Sequence, residues 1–106
     1  MDTETVSIGF SAVGSGPRLL VLNLLVRAGP KGLSTSDIQQ KLGIPASTLT
    51  HHLKFLAEGG VITQLKQGRT MVNTAHYDHL SALAHFLMDE CCVDAIPALE
   101  KELADA

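Results

Sequence analysis

A mainly α-helical domain carrying one small β-hairpin is the fold class this sequence predicts, and three observations predict it. Two apolar-striped segments, ending at Gly43 and beginning near Pro45, are separated only by Ile44 and Pro45. The pair Gly59-Gly60 then closes the second segment, and two short β-prone runs follow around Lys66-Gln67-Gly68-Arg69. A last long apolar-faced segment opens near Asp78. With 106 residues, 45% hydrophobic and 18% charged, the chain suits one globular core and is too short for two.

Each element has a local reason. Val6, Ile8, Phe10 and Val13 give a short first helix that ends at Gly14 or Gly16. Pro17 suits the first turn of the next helix, where its missing N–H would be unpaired anyway. Leu19, Leu20, Val21, Leu22, Leu24, Leu25 and Val26 wrap that helix almost completely, which predicts a central, buried position, and Ala28-Gly29-Pro30 stops it. Ser34 starts a third helix, with Asp37 three residues on and Ile38 and Leu42 facing inward. In the fourth, from about residue 45 to 58, Leu49, Leu53 and Leu56 form the buried stripe, and Ser47, Thr50, His51, Lys54 and Glu58 lie opposite. Val61, Ile62 and Leu65, then Met71 and Val72, form two strands of a hairpin over about 61–74, where Gly68 supplies positive φ. Asp78 is the expected N-cap of a helix over about 78–91, with Leu80, Leu83, Ala84 and Leu87 on one face, and Pro97 starts or kinks a short C-terminal helix.

The longest apolar run, Leu19 to Val26, is interrupted by Asn23 and falls short of a membrane span. The acidic N-terminus MDTET lacks the parts of a secretory signal, so a cytoplasmic protein without a membrane partner is expected. Net charge is −3, but it is unevenly spread. Lys41, Lys54, Lys66 and Arg69 face Glu58 alone between residues 41 and 77, whereas residues 78–106 hold seven acids against Lys101. A locally basic surface favours phosphate contact, and dimerisation would double it.

Two helices joined by a tight turn and followed by a cationic hairpin describe a winged helix-turn-helix over the whole of residues 1–106. Such a unit places its second helix in the major groove and its hairpin against the backbone or minor groove. Ser47, Thr48, Thr50, His51 and Lys54 are the expected groove-facing set, and Lys66, Gln67 and Arg69 the wing contacts, with Arg69 at the tip. His52 lies about 40° from Leu56 and about 60° from Leu49 on a helical wheel, so it is expected to pack and hydrogen-bond inside. Winged helices also bind proteins, which leaves an interaction module as the alternative. The adjacent thiols Cys91 and Cys92 add a sensor that works through sulfur. They could also pack as small apolar groups or act as a redox or persulfide switch. No Asn or Asp–His spacing suggests a cysteine hydrolase, so an enzyme is not expected.

The string GIPASTLTHHLKFLAEGGVITQLKQGRTMVN, preceded by LLVLNLLVRAGPKGLSTSDIQQKL, resembles the ArsR/SmtB family of bacterial metal-sensing repressors over about residues 10–92. The resemblance implies a homodimeric winged-helix repressor that releases operator DNA when a metal or metalloid binds. It also implies a dimer interface built from the first and last long helices. The branch with a thiol motif before the recognition helix is excluded, because Ser34 to Leu42 contains no cysteine. The zinc branch uses acidic and imidazole ligands along the last helix. His76, Asp78, His79, His85 and Glu90 are available, but not at that spacing, and His79 and His85 stand about 240° apart around a helix.

The arsenic-type branch fits best, because it often carries adjacent cysteines at the end of the last helix, as in FLMDECC. Trivalent arsenic and antimony are soft and favour thiolates, so Cys91 and Cys92 are the expected metal ligands. That branch frequently adds a third cysteine shortly afterwards, and this chain has none. As(III) or Sb(III) must then borrow a third ligand, whereas methylarsenite, with two open valences, matches two thiols directly. No permanent cofactor is expected, and zinc is the lesser inducer. The expected mechanism is a symmetric dimer reading an inverted repeat, with half-sites about one helical turn apart.

Overall fold

The computed structural model describes residues 1–105 and the side chains of all these except 96–99. Helix α1 (Thr3–Val13) starts where the Asp2 carboxylate accepts the Thr5 N–H at 2.7 Å, a bond that holds this carboxyl below the usual range. Helix α2 (Gly16–Ala28) follows at 97° to it, with Ser15 as N-cap and Pro17 in the first turn. Strand β1 (Leu33–Ser34) was not expected, being only two residues long. Helix α3 (Thr35–Leu42) begins with the Ser34 hydroxyl accepting the Asp37 N–H at 3.0 Å and ends at Gly43 in the left-handed region, φ 67°. Helix α4 (Ala46–Glu58) comes three residues later. Together these give the helix-turn-helix.

Strands β2 (Ile62–Gln67) and β3 (Thr70–Ala75) form the antiparallel wing, from Ile62↔Ala75 at its base to Gln67↔Thr70 at its tip. Lys66 and Gln67 are therefore paired strand residues, and the connection is only Gly68-Arg69, with Gly68 at φ 64°. Strand β1 pairs with β3, so the order is β1-β3-β2. The core lies between sheet and helices, where Val21, Leu25, Ile38, Leu49, Leu53, Leu56 and Val61 are fully buried.

Several expectations are corrected. Helix α2 is not buried all round: it packs with one side on α1, α3, α4 and β3, and Leu19, Leu20 and Val26 on the other side are exposed. The last long helix, α5 (Tyr77–Met88), is capped by His76 rather than Asp78. The reason is the sheet: the His76 N–H donates to the Val61 carbonyl at 2.9 Å, so the chain leaves the wing one residue before the helix starts. Tyr77 then donates its hydroxyl to the Val26 and Leu25 carbonyls at 3.3 and 3.4 Å, fastening α5 to the end of α2.

Helix α5 packs on α1 through Leu83, which sits where a Cβ on Gly9 would be. On the apolar face expected to meet a second subunit, Leu80 and Leu83 turn inward while Ala84 and Leu87 are exposed, as are Phe86 and Met88. The helix ends at Met88, short of the cysteines, and a run of turns from Asp89 to Ala95 leads to α6 (Ile96–Asp105). The radius of gyration, 18.7 Å, exceeds the roughly 13 Å of a compact chain this size, and the long axis is 67 Å. Among the described residues, no single helix is long and apolar enough to cross a membrane.

Candidate nucleic-acid interface and thiol pair

Because α4 buries Leu49, Leu53 and Leu56, its 3.6-residue period turns Ser47, Thr48, Thr50, His51 and Lys54 to solvent, and all five are exposed. The helix has no side-chain cap, since Pro45 stands at the N-cap. Its first N–H groups therefore stay open beside Ser47 and Thr48. The Thr50 hydroxyl donates to the Ala46 carbonyl at 2.9 Å, which leaves it an acceptor for a base or phosphate donor. His51 is oriented from below. Its ring meets Phe55 edge-on at 5.2 Å, and Arg18 covers the Phe55 ring at 4.8 Å.

Arg18 also donates through Nε to the Ala12 carbonyl at 2.6 Å and through Nη2 to the Ser11 carbonyl at 3.2 Å. One guanidinium thus joins the end of α1 to the outer side of α4, a link the sequence pattern did not reveal. His52 is half-buried beside the core stripe, but the expected internal hydrogen bond is missing: its buried Nδ1 has no partner among the described residues.

The wing presents Lys66, Gln67 and Arg69 to solvent. Arg69 does more than tip the hairpin. With Thr70 and Met71 it lines a hollow of about 340 Å³ closed on the other side by Ser34, Thr35 and Ser36 at the start of α3. A guanidinium, several hydroxyls and a helix N-terminus around one hollow suit an anionic oxygen. Sequence reasoning missed the α3 contribution because Ser34–Ser36 lie far from Arg69 along the chain; the serine and threonine cluster was the only signal.

What holds wing and α3 together is Asn73, fully buried in β3. Its Oδ1 accepts from Gln64 Nε2 at 2.8 Å, and its Nδ2 donates to the Leu33 carbonyl at 3.2 Å and to Thr35 Oγ1 at 3.1 Å. A single amide therefore ties all three strands to the first turn of α3.

Cys91 and Cys92 are both exposed, free thiols in the turns after α5. Their Sγ atoms approach to 2.9 Å, and Cys92 takes φ 66°, the one non-glycine in the left-handed region among the described residues. Neighbouring residues normally turn their side chains apart; the left-handed Cys92 brings these two together. The hydrogen bond to Cys92 raises the Cys91 pKa, with some help from burial, so Cys91 is held as a thiol. Two sulfurs this close can chelate one soft centre, with loss of the thiol protons.

Among the described residues, no group of three or more His, Cys, Asp or Glu side chains could hold a metal ion. His76 and His79 stack at 5.6 Å against Gly60, with His76 Nδ1 3.0 Å from its carbonyl and His79 Nε2 unpartnered. His85 and Glu90 are not brought to them.

A family described as a helix-turn-helix domain matches residues 18–64. The chain is 34% identical over 59 residues to an uncharacterized HTH-type transcriptional regulator of Methanocaldococcus jannaschii, a match that takes in 56% of this chain and 64% of that relative. Among solved structures, an ArsR-like transcriptional regulator from Rhodococcus sp. RHA1 superposes with a TM-score of 0.77 at 24% identity, covering 95% of this chain and 93% of that one. A homodimeric winged helix-turn-helix DNA-binding domain from Mycobacterium bovis, a possible ArsR-family regulator, gives 0.66 at 24% identity over 83% and 82% of the two chains. A "possible transcriptional regulator for arsenical resistance" gives 0.66 at 23% identity over 92% and 95%. At these identities the structural likeness establishes the winged-helix fold, and the helix-turn-helix match lies within it.

Proposed function

We infer that this chain, whose fold is that of the ArsR-family winged-helix regulators, is a DNA-binding transcriptional regulator working as a homodimer. We propose further that it is a repressor, and that trivalent arsenic, antimony or methylarsenite at Cys91 and Cys92 releases it from an inverted-repeat operator. Support for DNA comes from the exposed polar face of α4 set beside a wing carrying Lys66, Gln67 and Arg69. The observation that carries the metalloid reading is the approach of two exposed sulfurs to 2.9 Å directly beyond α5.

The coupling is mechanical. Helix α5 is fastened to α2 by Tyr77 and to α1 through Leu83, while Ala84, Phe86, Leu87 and Met88 stay open for a second subunit. A ligand that closes on Cys91 and Cys92 fixes the chain just past that open face, and so changes how two subunits meet and how far apart their α4 helices stand. A coupling free energy of about 1–3 kcal/mol changes operator occupancy by roughly 5–150-fold. Methylarsenite needs no third ligand, which suits a pair with no third metal-binding side chain beside it among the described residues.

The test is a gel-shift titration on the DNA upstream of its own gene, with As(III), Sb(III), methylarsenite, Zn(II) and peroxide as challengers. Release by the arsenic or antimony species in wild type, lost in Cys91→Ser/Cys92→Ser, is the expected result. Release that persists in the double variant eliminates the thiol assignment. Release by peroxide alone would favour the second reading, a thiol redox or persulfide switch, for which the exposure of both thiols speaks.

A further inference from the structure

The face of α2 that sequence pattern assigned to the core is open. Leu20, Asn23, Leu24, Val26 and Arg27 of α2 and Leu42 of α3 line a groove of about 460 Å³, in which Leu20 is 61% exposed. At Leu24 and Arg27 it continues into a second hollow of about 410 Å³ that Lys31 and Lys41 also line. The result is an apolar channel rimmed by three exposed cations, Arg27, Lys31 and Lys41. Neither hollow is lined by residues of α4 or α5.

A segment of matching character lies in α6. Helix α6 exposes Leu103, at 69%, beside the exposed acids Glu100 and Glu102, with the exposed pair Lys101 and Asp105 on the far side. On a helical wheel Glu100 stands about 60° to one side of Leu103 and Glu102 about 100° to the other. An apolar side chain between two carboxylates is the complement of an apolar channel between guanidinium and ammonium groups. We propose that the α2–α3 channel receives the acidic α6 helix of a second copy of this chain.

The path of the chain favours a second copy. Tyr77 is fastened to the Leu25 and Val26 carbonyls at the channel's own end, and α5 runs from there for 12 residues, about 18 Å. The segment beyond is shortened by turn bonds, Cys91 N–H to the Met88 carbonyl, Val93 to Glu90, and Ala95 to Cys92, and α6 leaves Leu103 exposed rather than seated in its own channel. In a two-fold dimer the exchange is reciprocal, each α6 filling the other channel. The inference rests on the dimer of the proposed function but not on DNA or metalloid binding. It also makes the Cys91–Cys92 turn the hinge of an exchanged arm.

The test uses two versions of the full chain, both carrying Cys91→Ser/Cys92→Ser, co-expressed with different tags and oxidised. One carries Leu20→Cys and the other Leu103→Cys. Disulfide-linked heterodimer is expected at about tenfold the yield obtained when Thr63→Cys, on the exposed wing, replaces Leu20→Cys. Arg27→Glu/Lys41→Glu should lower that yield by about tenfold, and Glu100→Lys/Glu102→Lys on the other chain should restore it. Cross-linking no better than the wing control, or only within one chain carrying both cysteines, overturns the proposal. Light scattering separates the failures: a dimer without the cross-link refutes the arm exchange alone, whereas a monomer refutes both it and the homodimer.

Discussion

Lys54 on α4 and Arg69 at the wing tip, like Lys66 on the wing, are cations held outward, so each is expected to carry a phosphate contact of its own. Replacing either by alanine should weaken DNA binding across all sequences and lower the slope of log affinity against log salt by about 1, as read by fluorescence anisotropy in a salt series. Thr50→Val should act differently, relaxing sequence preference or changing nothing, because its hydroxyl proton is already given to Ala46. For Cys91 the sign follows from the hydrogen bond to Cys92, which favours the protonated thiol and raises the pKa. Iodoacetamide should therefore modify Cys91 more slowly than a free thiol at neutral pH, with the rate climbing only above the ordinary thiol range. Cys92→Ala should move that pH profile downward; an unmoved profile would mean the two sulfurs do not bond in solution. The outward placement of Thr50 and Lys54 was legible in the sequence because burying Leu49, Leu53 and Leu56 leaves the opposite side of α4 no choice. The internal roles of Arg18 and Asn73 were not, since their partners lie on other elements.

At the scale of elements, Asn73 and Gly59 show how closely the wing and recognition helix are joined to their neighbours. Asn73→Leu leaves the Leu33 carbonyl, Gln64 and Thr35 without their shared partner, and should destabilise the domain by about 1–3 kcal/mol in urea titration. Gly59 ends α4 with an ordinary φ of −75°, so alanine there meets no backbone strain. Its Cβ would collide instead with the Cβ of Ala12 on α1. Gly59→Ala should cost about 1–3 kcal/mol for that reason, and Gly59→Ala combined with Ala12→Gly should recover most of it. Helices α1 to α4 and the hairpin were readable from caps and periodicity: Ser34, Gly43 and Gly68 sit where local chemistry requires them. Strand β1 was not readable, because two residues carry no pattern and exist as a strand only against β3. The cap of α5 likewise moved from Asp78 to His76 because the β2–β3 register decides where the chain leaves the sheet.

For the whole molecule, the open side chains of α5 are the test of assembly. Leu87→Glu should shift the dimer toward monomer in sedimentation velocity while leaving the helical circular dichroism unchanged, and should weaken operator binding with it, because two half-sites then bind independently. An unchanged sedimentation coefficient would place the interface elsewhere. By itself the sequence determined the helix-turn-helix, the wing, the outward polar face of α4 and the presence of two neighbouring thiols, since each follows from periodicity, turn chemistry or simple adjacency. Only the tertiary structure decided which apolar surfaces stay uncovered. A run such as Leu19–Val26 looks buried on every side in the sequence, yet a single small domain has neighbours for only one side of it. It also decided that Cys91 and Cys92 stand clear of α5 with their sulfurs facing each other, because that depends on where the helix stops and on one left-handed residue, neither of which a pattern of residue types specifies.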